Sequence, residues 1–178
     1  MKRQTIFVLI LVLLLFIAGC TPNAAPPKNP VTFYYPAQDT VYDGKTPVIH
    51  PEIRDGASYE EDIAGLLALY LKGPSSETHR SPFPRGVTLT RFYTTSNTAS
   101  MELSSEFAQL SGIDLTLACA CIANTLFDLT GMDRIQIFVT DSQLDGQTSI
   151  TLNRDDFYFT DAPLATEASS ETTETSGQ

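Results

Sequence analysis

Basic residues, cysteines and tryptophan are scarce or absent in this chain of 178 residues. Its 11 Lys and Arg stand against 21 Asp and Glu, which gives a formal net charge of −10 at pH 7. A strongly acidic chain repels phosphate backbones, so we expect no nucleic-acid partner. Three cysteines are too few for a disulfide scaffold, and the absence of Trp disfavours a platform for stacking sugars.

Motifs for catalysis or metal binding are also missing. The two histidines, His50 and His79, are flanked by residues typical of loops, and neither is next to a cysteine or a carboxylate pair at ligand spacing. Asp155-Asp156 lacks the spacing of a calcium loop, and the acidic run 60–62 is better explained by the preference of carboxylates for a helix N-terminus. There is no Gly-rich phosphate loop and no G-x-S-x-G motif. We therefore predict no catalytic residue, no cofactor and no metal site.

Cys119 and Cys121 are the two cysteines outside the N-terminal region. They are two residues apart in a predicted helix and so point in different directions, which disfavours a redox or metal-binding pair. We predict that Cys119 fills space in the apolar core. Whether Cys121 is buried or partly exposed stays open at this point.

The N-terminus has the composition of an export signal. Lys2 and Arg3 precede an uncharged apolar run over 6–18, which is shorter than the ~20 residues that a helix needs to span a bilayer. A permanent transmembrane anchor is therefore the weaker alternative. The run ends in Ile17-Ala18-Gly19-Cys20, which resembles the lipobox of bacterial lipoproteins. That resemblance implies lipid, including palmitate, on Cys20, cleavage just before it, and anchoring to the extracytoplasmic face of the cell membrane.

Composition divides the chain into four parts. Residues 1–19 form the predicted signal peptide, and 20–30 form a lipidated, proline-rich tether. A single folded domain is expected over 31–161. Residues 162–178 are rich in Ser, Thr and Glu and have too little apolar surface to fold, so we predict a disordered tail.

The first half of the domain has the periodicity of strands and one helix. Alternation over 31–35 predicts a strand with Val31, Phe33 and Tyr35 on the core face, and a second short strand is expected around 47–54. Ser58 and Glu61 match the capping box that begins a helix. An apolar stripe then runs from Ile63 to Leu71, and Gly73-Pro74 ends the helix.

The second half reads as a hairpin, a helix and a strand. The hairpin joins strands over 87–94 and 99–103, the helix covers 113–129 and stops at Gly131, and the strand covers 134–139. Asp145-Gly146 makes a turn, and 150–152 adds an edge strand. The order strand, helix, hairpin, helix, strand predicts an α+β fold, with two helices packed on one face of a small mixed or antiparallel sheet.

Three motifs in this order resemble the GerMN domain, the sporulation and spore germination module of Gram-positive lipoproteins. They are a helix ending in Leu71-Lys72-Gly73-Pro74-Ser75, a strand running into Leu103-Ser104-Ser105-Glu106-Phe107, and a helix ending in Gly131-Met132-Asp133-Arg134-Ile135. The resemblance implies a domain similar to the ring-building domains of sporulation membrane complexes, which work by protein contact without catalysis. The chain differs in having one such domain and a long insertion over 37–57.

We therefore expect a lipid-anchored module on the extracytoplasmic face that docks other extracytoplasmic or membrane proteins in sporulation or germination. A lipoprotein that binds a solute or a cell-wall polymer is the alternative, and would need a pocket with convergent polar groups. An enzyme is the third and weakest hypothesis. The partner and the oligomeric state stay open.

Overall fold

A computed structural model describes residues 26–59 and 61–156. The predicted signal peptide, Cys20 and the tail over 162–178 lie outside these residues. In chain order the elements are β1 (Pro30–Pro36), β2 (Ile49–Asp55), α1 (Ile63–Leu71), β3 (Leu89–Thr95), β4 (Thr98–Leu103), α2 (Gly112–Thr130), β5 (Arg134–Val139) and β6 (Ser149–Asn153). The predicted α+β class is confirmed.

The described strands form two sheets, where the sequence predicted one. β1 and β2 pair antiparallel as a separate ribbon, and the other sheet has the order β3-β4-β5-β6. In that sheet β4 and β5 are parallel, because α2 crosses between them, while its other pairs are antiparallel. The predicted mixed sheet is thus confirmed, but β1 does not belong to it.

The core lies around α2. Its apolar stripe was predicted, yet buried positions occur on every side of the helix, including Cys121 and Thr125, which are fully buried. The cause is β1: the Tyr34 N–H donates to Thr125 Oγ1 at 3.0 Å, and the Tyr34 hydroxyl donates to Asp128 Oδ2 at 2.8 Å. β1 therefore covers one side of α2 while β5 packs against another.

The inward faces of the strands follow the predicted alternation. Phe33 and Tyr35 on β1 are fully buried. On the four-stranded sheet the buried apolar positions are Ala99, Met101, Leu103, Ile135, Ile137 and Val139, and Ser100 on the opposite face of β4 is buried as well. Gly131 ends α2 with a φ of 67°, the left-handed conformation expected of a helix stop.

The predicted start of α1 is wrong. Ser58 lies in a short 3-10 helix over Ala57–Tyr59, and Glu61 has a φ of 65°, which is not helical, so these two residues do not begin α1. Asp62 is the N-cap, and its side chain accepts a hydrogen bond of 2.8 Å from the Gly65 N–H. A carboxylate one residue after the predicted box does the capping.

Among the described residues, α2 is the one helix whose length and composition would allow it to cross a membrane. Eleven of its residues are buried in the protein, which is the arrangement of a core helix in a globular domain.

Candidate functional site

His50 and His79 lie close together, which their positions along the chain did not predict. His50 is opposite Tyr35 in the β1-β2 ribbon, and His79 bridges to Ala37. Their ring centroids are 6.2 Å apart. His79 Nδ1 lies 3.3 Å from Glu52 Oε2, so pairing of distant segments creates a cluster that linear spacing does not reveal.

Glu52 is the centre of this cluster and is nearly buried, with 7% of its surface exposed. Oε1 accepts from Arg54 Nε at 2.6 Å, from the Ser75 N–H at 3.0 Å and from the Ser75 hydroxyl at 2.9 Å. Oε2 accepts from the Ser76 N–H at 3.1 Å and also contacts His79. We call Glu52, Arg54, Ser75, Ser76 and His79 the Glu52 cluster.

These hydrogen bonds keep Glu52 ionised. Burial alone would raise the pKa of its carboxyl, but the Ser75 and Ser76 N–H groups, Arg54 and the Ser75 hydroxyl outweigh it and lower that pKa from 4.5 to about 2. A carboxylate offers about four lone-pair sites, and here both oxygens are already fully bonded. Glu52 is therefore unsuited to act as a general base or as a free metal ligand.

The Glu52 cluster holds the segment that follows α1. Arg54 Nη2 donates to the Gly73 carbonyl at 2.7 Å, and the guanidinium lies 5.5 Å from the centre of the Phe33 ring. Gly73 has a φ of 96°, which favours glycine. The cluster thus gives a structural reason for Gly73-Pro74-Ser75: the turn aims two N–H groups at one carboxylate.

The two cysteines are both free and buried. Burial raises the pKa of Cys119 to about 12, and it also raises the pKa of Cys121 well above its usual range. Cys119 is a core residue as predicted. Cys121, left open by the sequence, is fully buried because β1 covers its side of α2. Neither thiol is available as a nucleophile in the folded protein.

Two of the remaining acidic candidates, Asp62 and Asp156, make local structural contacts. Asp62 caps α1, and Asp156 accepts a hydrogen bond of 2.8 Å from Asn153 Nδ2. Within residues 26–59 and 61–156, no three His, Cys, Asp or Glu side chains form a group that could hold a metal ion.

The insertion 37–57 proves to be the loop and second strand of the β1-β2 hairpin. The loop 37–48 is closed by a 3.0 Å bond from the Ala37 N–H to the Val48 carbonyl. At its end Asp43 accepts from the N–H groups of Lys45 and Thr46, at 2.8 and 2.7 Å. Val41 and Tyr42 are 58% and 56% exposed on this ordered loop. We call Val41 and Tyr42 the apolar tip.

A groove lies between α1 and the segment 81–89. Its volume is about 580 Å³, and its lining includes the apolar side chains of Leu71, Phe83, Val87 and Leu89. The exposed cations Lys72 and Arg85 lie on its rim and form no ion pair among the described residues. We call this the α1 groove.

Two other surface features belong to the four-stranded sheet. On its outward face Tyr93 is 42% exposed, and Arg91 Nε lies 3.7 Å from Glu102 Oε2. At one end is a polar cleft of about 490 Å³, lined by Asn97, Asp133, Arg134, Asn153, Asp155 and Asp156 among others. Several of these side chains bond one another, such as Asn97 Nδ2 to Asp133 Oδ2 at 2.6 Å.

Comparison with protein families finds a match over most of the folded domain. The model of the Germane family, described as sporulation and spore germination, matches residues 32–145. No curated protein matches the chain.

Solved structures give further similarity in fold. The tandem GerMN domains of the sporulation protein GerM from Bacillus subtilis superpose with a TM-score of 0.53 at 19% identity, covering 77% of this chain and 48% of that one. The first GerMN domain of GerM alone gives 0.47 at 15% identity, covering 71% and 99%. A candidate lipoprotein from Clostridium perfringens gives 0.46 at 21% identity, covering 71% and 88%.

Proposed function

The chain belongs to the Germane family of sporulation and spore germination, and we propose that it is a lipid-anchored module on the extracytoplasmic face of the membrane that binds other proteins. The family match confirms the resemblance inferred from the three sequence motifs. The fold agrees with one GerMN domain, since the chain spans about half of the tandem structure.

The proposed interaction role is supported by the contrast between reactive groups that are buried or hydrogen-bonded and large apolar side chains that are exposed. The groups that could have formed a reactive site are tied into the structure: Glu52 is fully bonded, and both cysteines are buried with raised pKa values. Large apolar side chains are instead exposed: Ile53, Tyr93 and Ile113 lie on β2, β3 and α2, and Val41 and Tyr42 lie on the loop between β1 and β2. Exposed apolar groups on a rigid scaffold favour protein contact over chemistry. The proposal therefore includes no catalytic step and no cofactor.

The lipid anchor is supported by the sequence alone. The apolar run 6–18 and the lipobox ending at Cys20 are the features on which it rests. Attachment at the N-terminus would place Pro30, where β1 begins, nearest to the membrane along the chain.

Site-specific photo-crosslinking in the native cell tests the interaction role. A photoreactive amino acid at Tyr93 or Ile113 should yield discrete adducts with extracytoplasmic or membrane proteins. The matched control is Glu77, which is exposed but polar and should give none. Equal labelling at the three positions, or turnover of a substrate by the purified protein, would contradict the proposal.

Binding of a solute or wall polymer is the second candidate, and the polar cleft is the observation that favours it. Its side chains already bond one another, which leaves fewer groups for a ligand. A rise in melting temperature with wall fragments, removed by Asn97→Ala, would favour this candidate over protein binding.

A further inference from the structure

The apolar tip is held away from its own domain by an ordered loop. Three bonds to Asp43, from the N–H groups of Lys45 and Thr46 and from the Thr46 hydroxyl at 2.9 Å, fix the turn beyond it. At the base of the loop, the Gln38 N–H donates to the Thr78 carbonyl at 2.8 Å. The bonds to Asp43 restrain the turn that follows the tip, so Tyr42 loses less conformational entropy on binding than it would on an unrestrained loop, and this loop is suited to insertion into a concave surface.

The α1 groove has the properties that such a loop would require. Its volume of about 580 Å³ is within the usual range for binding pockets, and Leu71, Phe83, Val87 and Leu89 give it an apolar lining. In the described structure Val41 and Tyr42 are more than half exposed, so the tip does not occupy the groove of its own chain.

The charges of the two features are complementary. Asp39 and Asp43 flank the apolar tip, with Lys45 as the one basic side chain between 37 and 48. Lys72 and Arg85 lie at the rim of the groove, where Glu106 lies close to Gly86 and reduces the positive charge. A weakly acidic tip would therefore approach a weakly basic rim.

We propose that the apolar tip of one copy of this chain binds in the α1 groove of a second copy. The contact joins two different surfaces, so it is head-to-tail and leaves one tip and one groove free at the ends of any open assembly. A second copy of the chain is then one partner of the interaction module proposed above, and this inference rests on that proposal. A loop in a groove buries less area than a stable dimer interface, so the contact depends on the high local concentration that lipid anchoring provides.

Disulfide crosslinking of the full lipidated chain in native membranes tests this geometry. Lys45→Cys places a thiol beside the tip, and Thr88→Cys places one in the lining of the groove; both positions are exposed. Mild oxidation of the double variant should give dimers and longer species. Each single variant should stay monomeric, while the two single variants expressed together should give dimers only.

Three outcomes would overturn the proposal. An internal disulfide in the double variant would show that the tip reaches its own groove. Dimers from Lys45→Cys alone would indicate a symmetric contact between tips. Absence of any crosslink, in a protein that membrane fractionation finds correctly anchored, would show that copies do not meet in this way; a protein missing from membranes would instead count against the anchor.

Substitutions in the double-cysteine background test the contacts themselves. Tyr42→Ser should lower the crosslinked fraction by about tenfold or more, whereas Gln143→Ser, a control at an exposed position that belongs to no proposed binding surface, should leave it unchanged. Asp39→Arg and Arg85→Asp should each reduce crosslinking, and the two together should restore it. Equal effects of Tyr42→Ser and Gln143→Ser, or no recovery in the charge-swapped pair, would refute the pairing of tip and groove.

Discussion

At the scale of single residues, Glu52 shows how a buried charge can organise a loop without taking part in chemistry. Its carboxylate joins β2 to the Gly73-Pro74-Ser75 turn and to His79. A buried carboxylate is costly unless its oxygens accept hydrogen bonds. The segments that donate to Glu52 are therefore held in the conformation that allows them to do so.

Replacement of this carboxylate should destabilise the domain. Glu52→Gln keeps the size of the side chain but removes the charge that balances Arg54, and it replaces one acceptor oxygen by an NH2 donor that faces the N–H of either Ser75 or Ser76. We expect the free energy of unfolding to fall by roughly 2–4 kcal/mol, measured by denaturant titration. Glu77→Gln, at an exposed site, should change it by less than about 0.5 kcal/mol. Equal effects would mean that the Glu52 cluster is not a stabilising feature.

The same carboxylate predicts acid sensitivity. Its pKa is lowered on folding, from 4.5 to about 2, so its stabilisation is present above pH 4.5 and is lost as the pH falls from 4.5 towards 2. After solvent screening we expect this loss to be roughly 1–3 kcal/mol. The unfolding free energies of the wild type and of Glu52→Gln should therefore converge as the pH falls through this range. A constant difference would contradict the assignment.

Cys119 gives a prediction about packing. It is 3% exposed, and a neutral thiol in the core acts as a small apolar side chain. Cys119→Ala should lower the free energy of unfolding by roughly 1–2 kcal/mol through a small cavity, without loss of partner binding. Unchanged stability with binding abolished would show that the thiol has a functional role.

At the scale of elements, the start of α1 shows that the residue predicted to cap a helix can differ from the residue that caps it in the structure. Asp62→Ala removes the bond to the Gly65 N–H and should cost about 1 kcal/mol of stability. Ser58→Ala alters the capping box that the sequence predicted, and should cost less than about 0.5 kcal/mol because Ser58 is exposed and outside the helix. Thermal unfolding of the two variants decides between the two caps.

The strands β1 and β2 show that the packing partner of a strand does not follow from its apolar pattern. Their alternation was correct, but alternation specifies which face is buried and not which element covers it. The edge of β1 that faces away from β2 meets α2, where the Tyr34 N–H finds the Thr125 hydroxyl in place of another strand. A side chain on a helix thus completes the backbone bonding of a strand, and the ribbon stays separate from the main sheet.

At the scale of the whole molecule, the folded domain and the proposed anchor are separable. Cys20→Ala should abolish incorporation of labelled palmitate and move the protein out of the membrane fraction. Because Cys20 lies ten residues before β1, the melting temperature of the domain should not change. Palmitate still entering the variant would show that lipid is attached elsewhere.

The sequence by itself determined the features that depend on neighbours along the chain. These features include the glycines that end both helices, the inward-facing positions of the strands and the α+β class. They also include the family, which three short motifs in the right order were enough to indicate. Local backbone preference and a repeating apolar pattern are sufficient for such features.

Tertiary structure alone decided the features that depend on contact between distant segments. Glu52 and His79 are 27 residues apart, and only the pairing of β1 with β2 and the turn after α1 brings their side chains together. A clue was present, since Glu52 and Arg54 are two residues apart in a strand and so share a face, but nothing in the spacing shows the donors of Ser75 and Ser76. The burial of Cys121 and the separation of the two sheets have the same origin. Both features depend on which elements pack against each other in the folded protein, and the pattern of apolar residues along the chain does not contain that information.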